Sequence, residues 1–114
     1  MLVPANSAID DTGWNNTTKH TGAPSDVSTN IKYRVKNGYA TINIGLGSGI
    51  SLSTSNVTYV DIPSEARPSM TVQMIIPAIG GNVTVTVHAS GEIDLACSAS
   101  NRAYPVGLMI YPLG

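Results

Sequence analysis

The stretch Ile31-Lys32-Tyr33-Arg34-Val35-Lys36-Asn37-Gly38-Tyr39-Ala40-Thr41-Ile42-Asn43-Ile44 decides the fold. Asn-Gly between two alternating runs is the strongest short-range signal of a two-residue hairpin loop, because both residues tolerate positive φ. Such a loop pairs Lys36 with Tyr39, Val35 with Ala40, Tyr33 with Ile42 and Ile31 with Ile44. Side chains alternate across a strand, so Ile31, Tyr33, Val35, Ala40, Ile42 and Ile44 share the face that seeks a core. Lys32, Arg34, Lys36, Tyr39, Thr41 and Asn43 share the opposite face. Three alternate cations on an outer face read as a solvated stripe, not as a polyanion site.

A second ribbon follows the same logic. A three-residue loop, Ala89-Ser90-Gly91, pairs Val87 with Ile93, Val85 with Leu95 and Val83 with Cys97. It needs Gly91 at positive φ. A two-residue loop would set His88 opposite Ile93 and mix the two faces, so the longer loop is favoured. Further short strands are expected over residues 56–62, 70–76 and 105–111. Gly45 to Gly49, Pro63 to Pro68, Ile79 to Asn82 and Ala99 to Ala103 read as the turns between strands. No stretch has a 3.6-residue period, and Gly and Pro recur too often for a long helix. The expected fold is all-β, an antiparallel sandwich or jelly-roll-like head over residues 31–114. Residues 1–30, rich in turn formers, read as an extended lead-in with one short strand around Trp14.

Composition narrows the function classes. A chain of 114 residues makes one domain. Its net charge of −1 gives no electrostatic case for nucleic acid or an anionic membrane surface. Only 11% of residues are charged, so solubility falls to uncharged polar groups, and Ser, Thr and Asn fill 32 of the 114 positions. No apolar run is long enough to span a membrane as a helix, and no charged n-region precedes an apolar h-region, so no secretory signal is expected. Met1 is expected to open a piece of a longer protein. Cys97 stands alone and faces inward in the register above, where a thiol behaves as a small hydrophobe.

Two strands are apolar on both sides. Ile75 lies opposite the face of Met70, Val72, Met74 and Ile76, and Met109 and Tyr111 lie opposite Val106, Leu108 and Ile110. Strands of that kind are covered on both faces. In a chain this small, the expected second cover is another copy of the same chain.

Candidate chemistry is sparse. Glu92 and Asp94 share a strand face, with His88 across from Glu92 and Thr86 across from Asp94. Such a group fits a surface ion pair or a polar patch that hydrogen-bonds a ligand better than acid–base catalysis. Asn101, Arg102 and Tyr104 form the most binding-like segment, since amide and guanidinium donors suit hydroxyls and a tyrosine ring suits the apolar face of a sugar. The glycine-rich Gly45–Gly49 loop has no following Lys or helix start, so it does not read as a phosphate cradle. No metal or cofactor is expected.

The order of landmarks carries a resemblance. Asp11-Thr12-Gly13-Trp14 precedes Tyr33-Arg34-Val35-Lys36-Asn37-Gly38; Ile62-Pro63 stands before Arg67-Pro68; Pro77-Ala78, the Gly91 hairpin and Tyr111-Pro112 follow. Over residues 11–112 this resembles the C-terminal head region of bacteriophage tail-fibre and receptor-binding proteins, particularly those of phages and prophages of Gram-positive bacteria. The chain departs from that pattern at Ser64-Glu65-Ala66, where a Gly-aromatic pair is commoner, and in its long polar Thr17–Asn30 segment. The resemblance implies a non-enzymatic, homotrimeric head in the virion that attaches to saccharide on the bacterial envelope. It also implies contact with other tail or baseplate proteins through the N-terminal side, and a structural role for Trp14. It assigns no ligand residues. A connector domain without a ligand of its own, or a small glycan-degrading enzyme, are the alternative readings.

Overall fold

Asn37 and Gly38 turn the first hairpin with φ of 52° and 81°, the left-handed pair that a two-residue loop demands. A computed structural model describes residues 11–113. Its strands are β1 (Asn15–Asn16), β2 (Thr18–Lys19), β3 (Ile31–Lys36), β4 (Tyr39–Gly45), β5 (Ile50–Leu52) and β6 (Val57–Asp61). They continue as β7 (Val72–Ala78), β8 (Gly81–Val87), β9 (Glu92–Cys97), β10 (Asn101–Ala103) and β11 (Val106–Pro112), with one 3-10 turn at Ser64–Ala66. The strands form antiparallel sheets in the orders β1-β3-β4-β11 and β2-β6-β9-β8-β7, with β10 and β5 paired beside them. The all-β, sandwich-like expectation is met.

Both hairpin registers stand as read from the sequence. Ile31 pairs with Ile44 and Lys36 with Tyr39 in the first, and Val83 with Cys97 and Val87 with Ile93 in the second. Gly91 takes φ 98°, and its backbone N–H donates to the His88 carbonyl at 2.9 Å to close the loop. The registers put Ile31, Ile42 and Ile44 of one sheet against Val83, Val85, Val87, Ile93 and Leu95 of the other, all fully buried. Each such side chain stabilises the fold by about 1.5–3 kcal/mol relative to exposure. Cys97 is buried among them.

The structure corrects several expected boundaries. Asn101–Ala103, read as part of a turn, forms β10 against Ile50–Leu52. The strand expected over 70–76 runs Val72–Ala78, leaving Met70 73% exposed before it. A bulge between Thr58 and Val60 shifts the β6–β9 register, which lets adjacent Tyr59 and Val60 both be buried.

The lead-in belongs to the sandwich from Asp11 onward; its first ten residues lie outside the described ones. It supplies a strand to each sheet, β1 beside β3 and β2 beside β6. Thr17, between the two, is buried and donates its hydroxyl to the Ile31 carbonyl at 2.7 Å. At the other end of the chain, the Tyr111 hydroxyl donates to the Ala66 carbonyl at 2.6 Å. Arg67 Nε donates to the Ile62 carbonyl at 3.1 Å, and Ile62 N–H donates to the Gly91 carbonyl at 2.9 Å. The Ile62–Pro68 turn is thus clamped between the second hairpin loop and β11.

Candidate functional site

The outer face of the five-stranded sheet is built from the alternate residues that the core does not take. Thr86 on β8 and Thr58 on β6 flank Asp94 on β9, which leaves Asp94 only 8% exposed although it faces outward. Its charge is held by hydrogen bonds: Thr58 Oγ1 donates to Oδ1 at 2.6 Å, and His88 Nε2 lies 2.9 Å from Oδ2. His88 and Asp94 are therefore brought together. Glu92 instead accepts from Ser90 Oγ at 2.8 Å and stands opposite Asp61. His20 sits with Nδ1 2.9 Å from Asp61 Oδ1.

Chemically, the carboxylate lies between the hydroxyl and the imidazole. Nucleophile activation needs the imidazole in the middle, taking the hydroxyl proton. Here Thr58 gives its hydrogen bond to Asp94, so the arrangement binds Thr58 in place without raising its reactivity.

The second predicted cluster lies past the other end of β9. Asn101 Nδ2 donates to the Gly80 carbonyl at 3.2 Å, and Asn101 Oδ1 accepts from Arg102 N–H at 2.9 Å. One Arg102 Nη donates to the carbonyls of Ser48 and Gly49 at 3.1 and 3.2 Å. The guanidinium carbon lies 6.0 Å from the centre of the Tyr104 ring. A side chain at Gly49 would strike that ring, its Cβ falling 2.6 Å from Tyr104 Cε2. The Gly45–Gly49 loop and the Asn101–Tyr104 segment thus form one knot, joined by hydrogen bonds to backbone carbonyls that have no sequence signature. The two predicted clusters are not brought together; β9 separates them.

Between them the outer face dips. Ala96, the smallest side chain in its row, lies beside Thr84, which pairs with Ile75. Asn56 and Thr54 form the far wall of an open groove of about 490 Å³. Sequence reasoning missed it. The outward position of Thr84 was readable from the second hairpin. One wall, however, comes from Thr54 and Asn56 just before β6, whose register no tight loop announced, and the other from β7, whose two-residue Ile79-Gly80 loop was read only as a break between strands.

The outer face of the four-stranded sheet differs. Arg34 is joined to Asp11 and does not stand free in the cationic stripe. On edge strand β11, Val106, Leu108 and Ile110 are 62%, 55% and 64% exposed. Trp14 is 45% exposed as well, and the lead-in's side-chain hydrogen bonds to the sandwich include those of Asp11, Thr12, Thr17 and His20.

Comparison with protein-family models and with curated proteins returns no match.

Proposed function

We propose that the chain is the head of a bacteriophage tail fibre or receptor-binding protein, attaching without catalysis to saccharide on a bacterial envelope as a homotrimer. The observation that supports it is how the molecule divides its residues. The landmarks behind the resemblance are tied to one another and to the sandwich: Asp11 to Arg34, the Ile62–Pro68 turn to Gly91, and Tyr111 to Ala66. What remains on the surface is a broad field of hydroxyls and amides on one sheet and a bare aliphatic row on the other. Uncharged donors and acceptors match sugar hydroxyls, and the aliphatic row matches a second copy of itself. Weak binding at one site suffices when several heads act together, since linkage converts later contacts into intramolecular ones.

The test is adhesion of fluorescently labelled protein to a panel of Gram-positive cells, with and without the envelope polysaccharide stripped. Polysaccharide-dependent binding is expected; equal binding to stripped cells contradicts the reading. The connector reading draws support from Arg102 and Tyr104, whose polar atoms and ring are engaged by Ser48 and Gly49. It expects no adhesion to any strain.

A further inference from the structure

The groove over Ala96 has the properties of a ligand subsite. Its ends are set by satisfied pairs. Asn82 N–H donates to Ser98 Oγ at 3.0 Å at one end, and Gln73 Nε2 donates to Thr86 Oγ1 at 3.0 Å at the other. Between those ends, among the described residues, the side-chain amides of Asn56 and Asn82 and the hydroxyls of Thr54 and Thr84 have no intramolecular hydrogen bond and face solvent. Ile75, an aliphatic side chain 62% exposed, stands beside Thr84 on the β7 side of the groove, and Thr54 and Asn56 stand on the opposite side, beyond β8 and β9. Directional uncharged donors and acceptors in a row with an apolar platform are complementary to an extended saccharide, whose rings have hydroxyls at the rim and C–H groups on the face.

Charge decides the class. None of the described residues lining the groove is charged, and the outward residue two positions before Ala96 is the carboxylate of Asp94. A phosphate-bearing polymer needs cationic side chains or converging backbone N–H groups, and the described lining offers no cationic side chain.

We infer that this groove is a site for an uncharged oligosaccharide laid across the strands, with one ring's face on Ile75 and the hydroxyls of that ring and the next on the amides of Asn82 and Asn56. The inference rests on the attachment reading above and names the site and substrate class for it.

The probes are oligosaccharides released from the envelope of a strain to which the full chain adheres, separated into neutral and phosphate-bearing fractions. Titrated into ¹⁵N-labelled protein, the neutral fraction should shift the amide resonances of Asn82, Thr84 and Ala96. Asn56→Ala combined with Asn82→Ala removes two exposed amides, so the spectrum should keep its dispersion while affinity falls roughly tenfold or more. Shifts confined to the Asn101–Tyr104 segment overturn the groove and leave attachment standing. So does unchanged affinity in the double variant. Groove shifts from the phosphate-bearing fraction alone overturn the uncharged class. Adhesion to no strain sinks the attachment reading itself, and the groove assignment with it.

Discussion

Asp11 and Arg34 meet as two forks: Arg34 Nε donates to Oδ1 at 2.9 Å and an Nη donates to Oδ2 at 2.6 Å. The pair joins the start of the described chain to the middle of β3. Around it, Thr12 N–H donates to the Val35 carbonyl at 2.9 Å, and Val35 N–H donates to Thr12 Oγ1 at 3.0 Å. Two landmarks that are separate words in the sequence are one contact in space. The planar guanidinium is needed for both bonds at once, which an ammonium cannot supply.

Arg34→Ala should therefore lower the thermal midpoint at neutral pH, with Arg34→Lys falling between the two. The effect should depend on pH with a definite sign. The Arg34 hydrogen bonds first, and the Gly13 N–H second, hold the Asp11 carboxyl well below the usual carboxylate range. A lowered folded-state value stabilises the fold above the unfolded value, near pH 4, and the gain is lost as pH falls further. Melting curves of both proteins should converge as pH drops below about 4. A gap that does not narrow at all between pH 4 and pH 2 would mean that Arg34 acts through packing of its stem, not through Asp11.

Tyr111 makes the other long-range tie. Its hydroxyl is buried, reaches the Ala66 carbonyl at 2.6 Å, and is pushed upward in pKa by that burial. Tyr111→Phe keeps the ring and strands the carbonyl. It should cost about 1–2 kcal/mol of unfolding free energy in urea with an unchanged m-value. No loss would mean that water replaces the hydroxyl at Ala66.

Which parts of this fold could be read in advance follows from where the information sits. Asn37-Gly38 and Ala89-Ser90-Gly91 are local, and a tight loop fixes every pair that follows it; the pairing of Tyr33 with Ile42 and of Val85 with Leu95 was legible for that reason. Ile50–Leu52 finds its partner in Asn101–Ala103, far along the chain and with no loop to announce it. Three residues are also too few to show alternation. His88 and Asp94 were legible as neighbours on one outer face, but the third member, Thr58, depended on a bulged pairing between β6 and β9. Arg102 and Tyr104 were read by side-chain type, yet their partners are the backbone at Ser48 and the empty side of Gly49.

The aliphatic row on β11 makes a sharp prediction about assembly. Val106, Leu108 and Ile110 point away from the core, while Met109 and Tyr111 on the same strand point into it. Light scattering at micromolar concentration should give about three times the 11.9 kDa chain mass. Leu108 is 55% exposed in the single chain, so Leu108→Lys should leave a monomer's stability within about 0.5 kcal/mol. In the assembly it would place a charge on a dry interface. The expected result is a folded monomer by circular dichroism and scattering. A monomeric unmodified protein contradicts the trimer, and an unshifted mass in Leu108→Lys moves the interface off β11.

The carboxylates at the second hairpin allow the enzymatic alternative to be tested directly. A glycan hydrolase needs one carboxyl to give up a proton and another to attack or to activate water. Asp94 has Oδ1 engaged by Thr58 and Oδ2 by His88, and Glu92 accepts from Ser90. Neither is an unengaged acid beside an open substrate cleft; the groove lies over Ala96, farther along the same strand. Incubation of the protein with envelope polysaccharide should release no new reducing ends over a day. Release that disappears in Glu92→Gln or Asp94→Asn would overturn the non-catalytic reading. The Asp94 variant needs a control, since Asp94→Asn places an amide against the Thr58 hydroxyl or His88 and can loosen the sheet face. Glu92→Gln has no buried partner to lose, so its effect on turnover is the cleaner measurement.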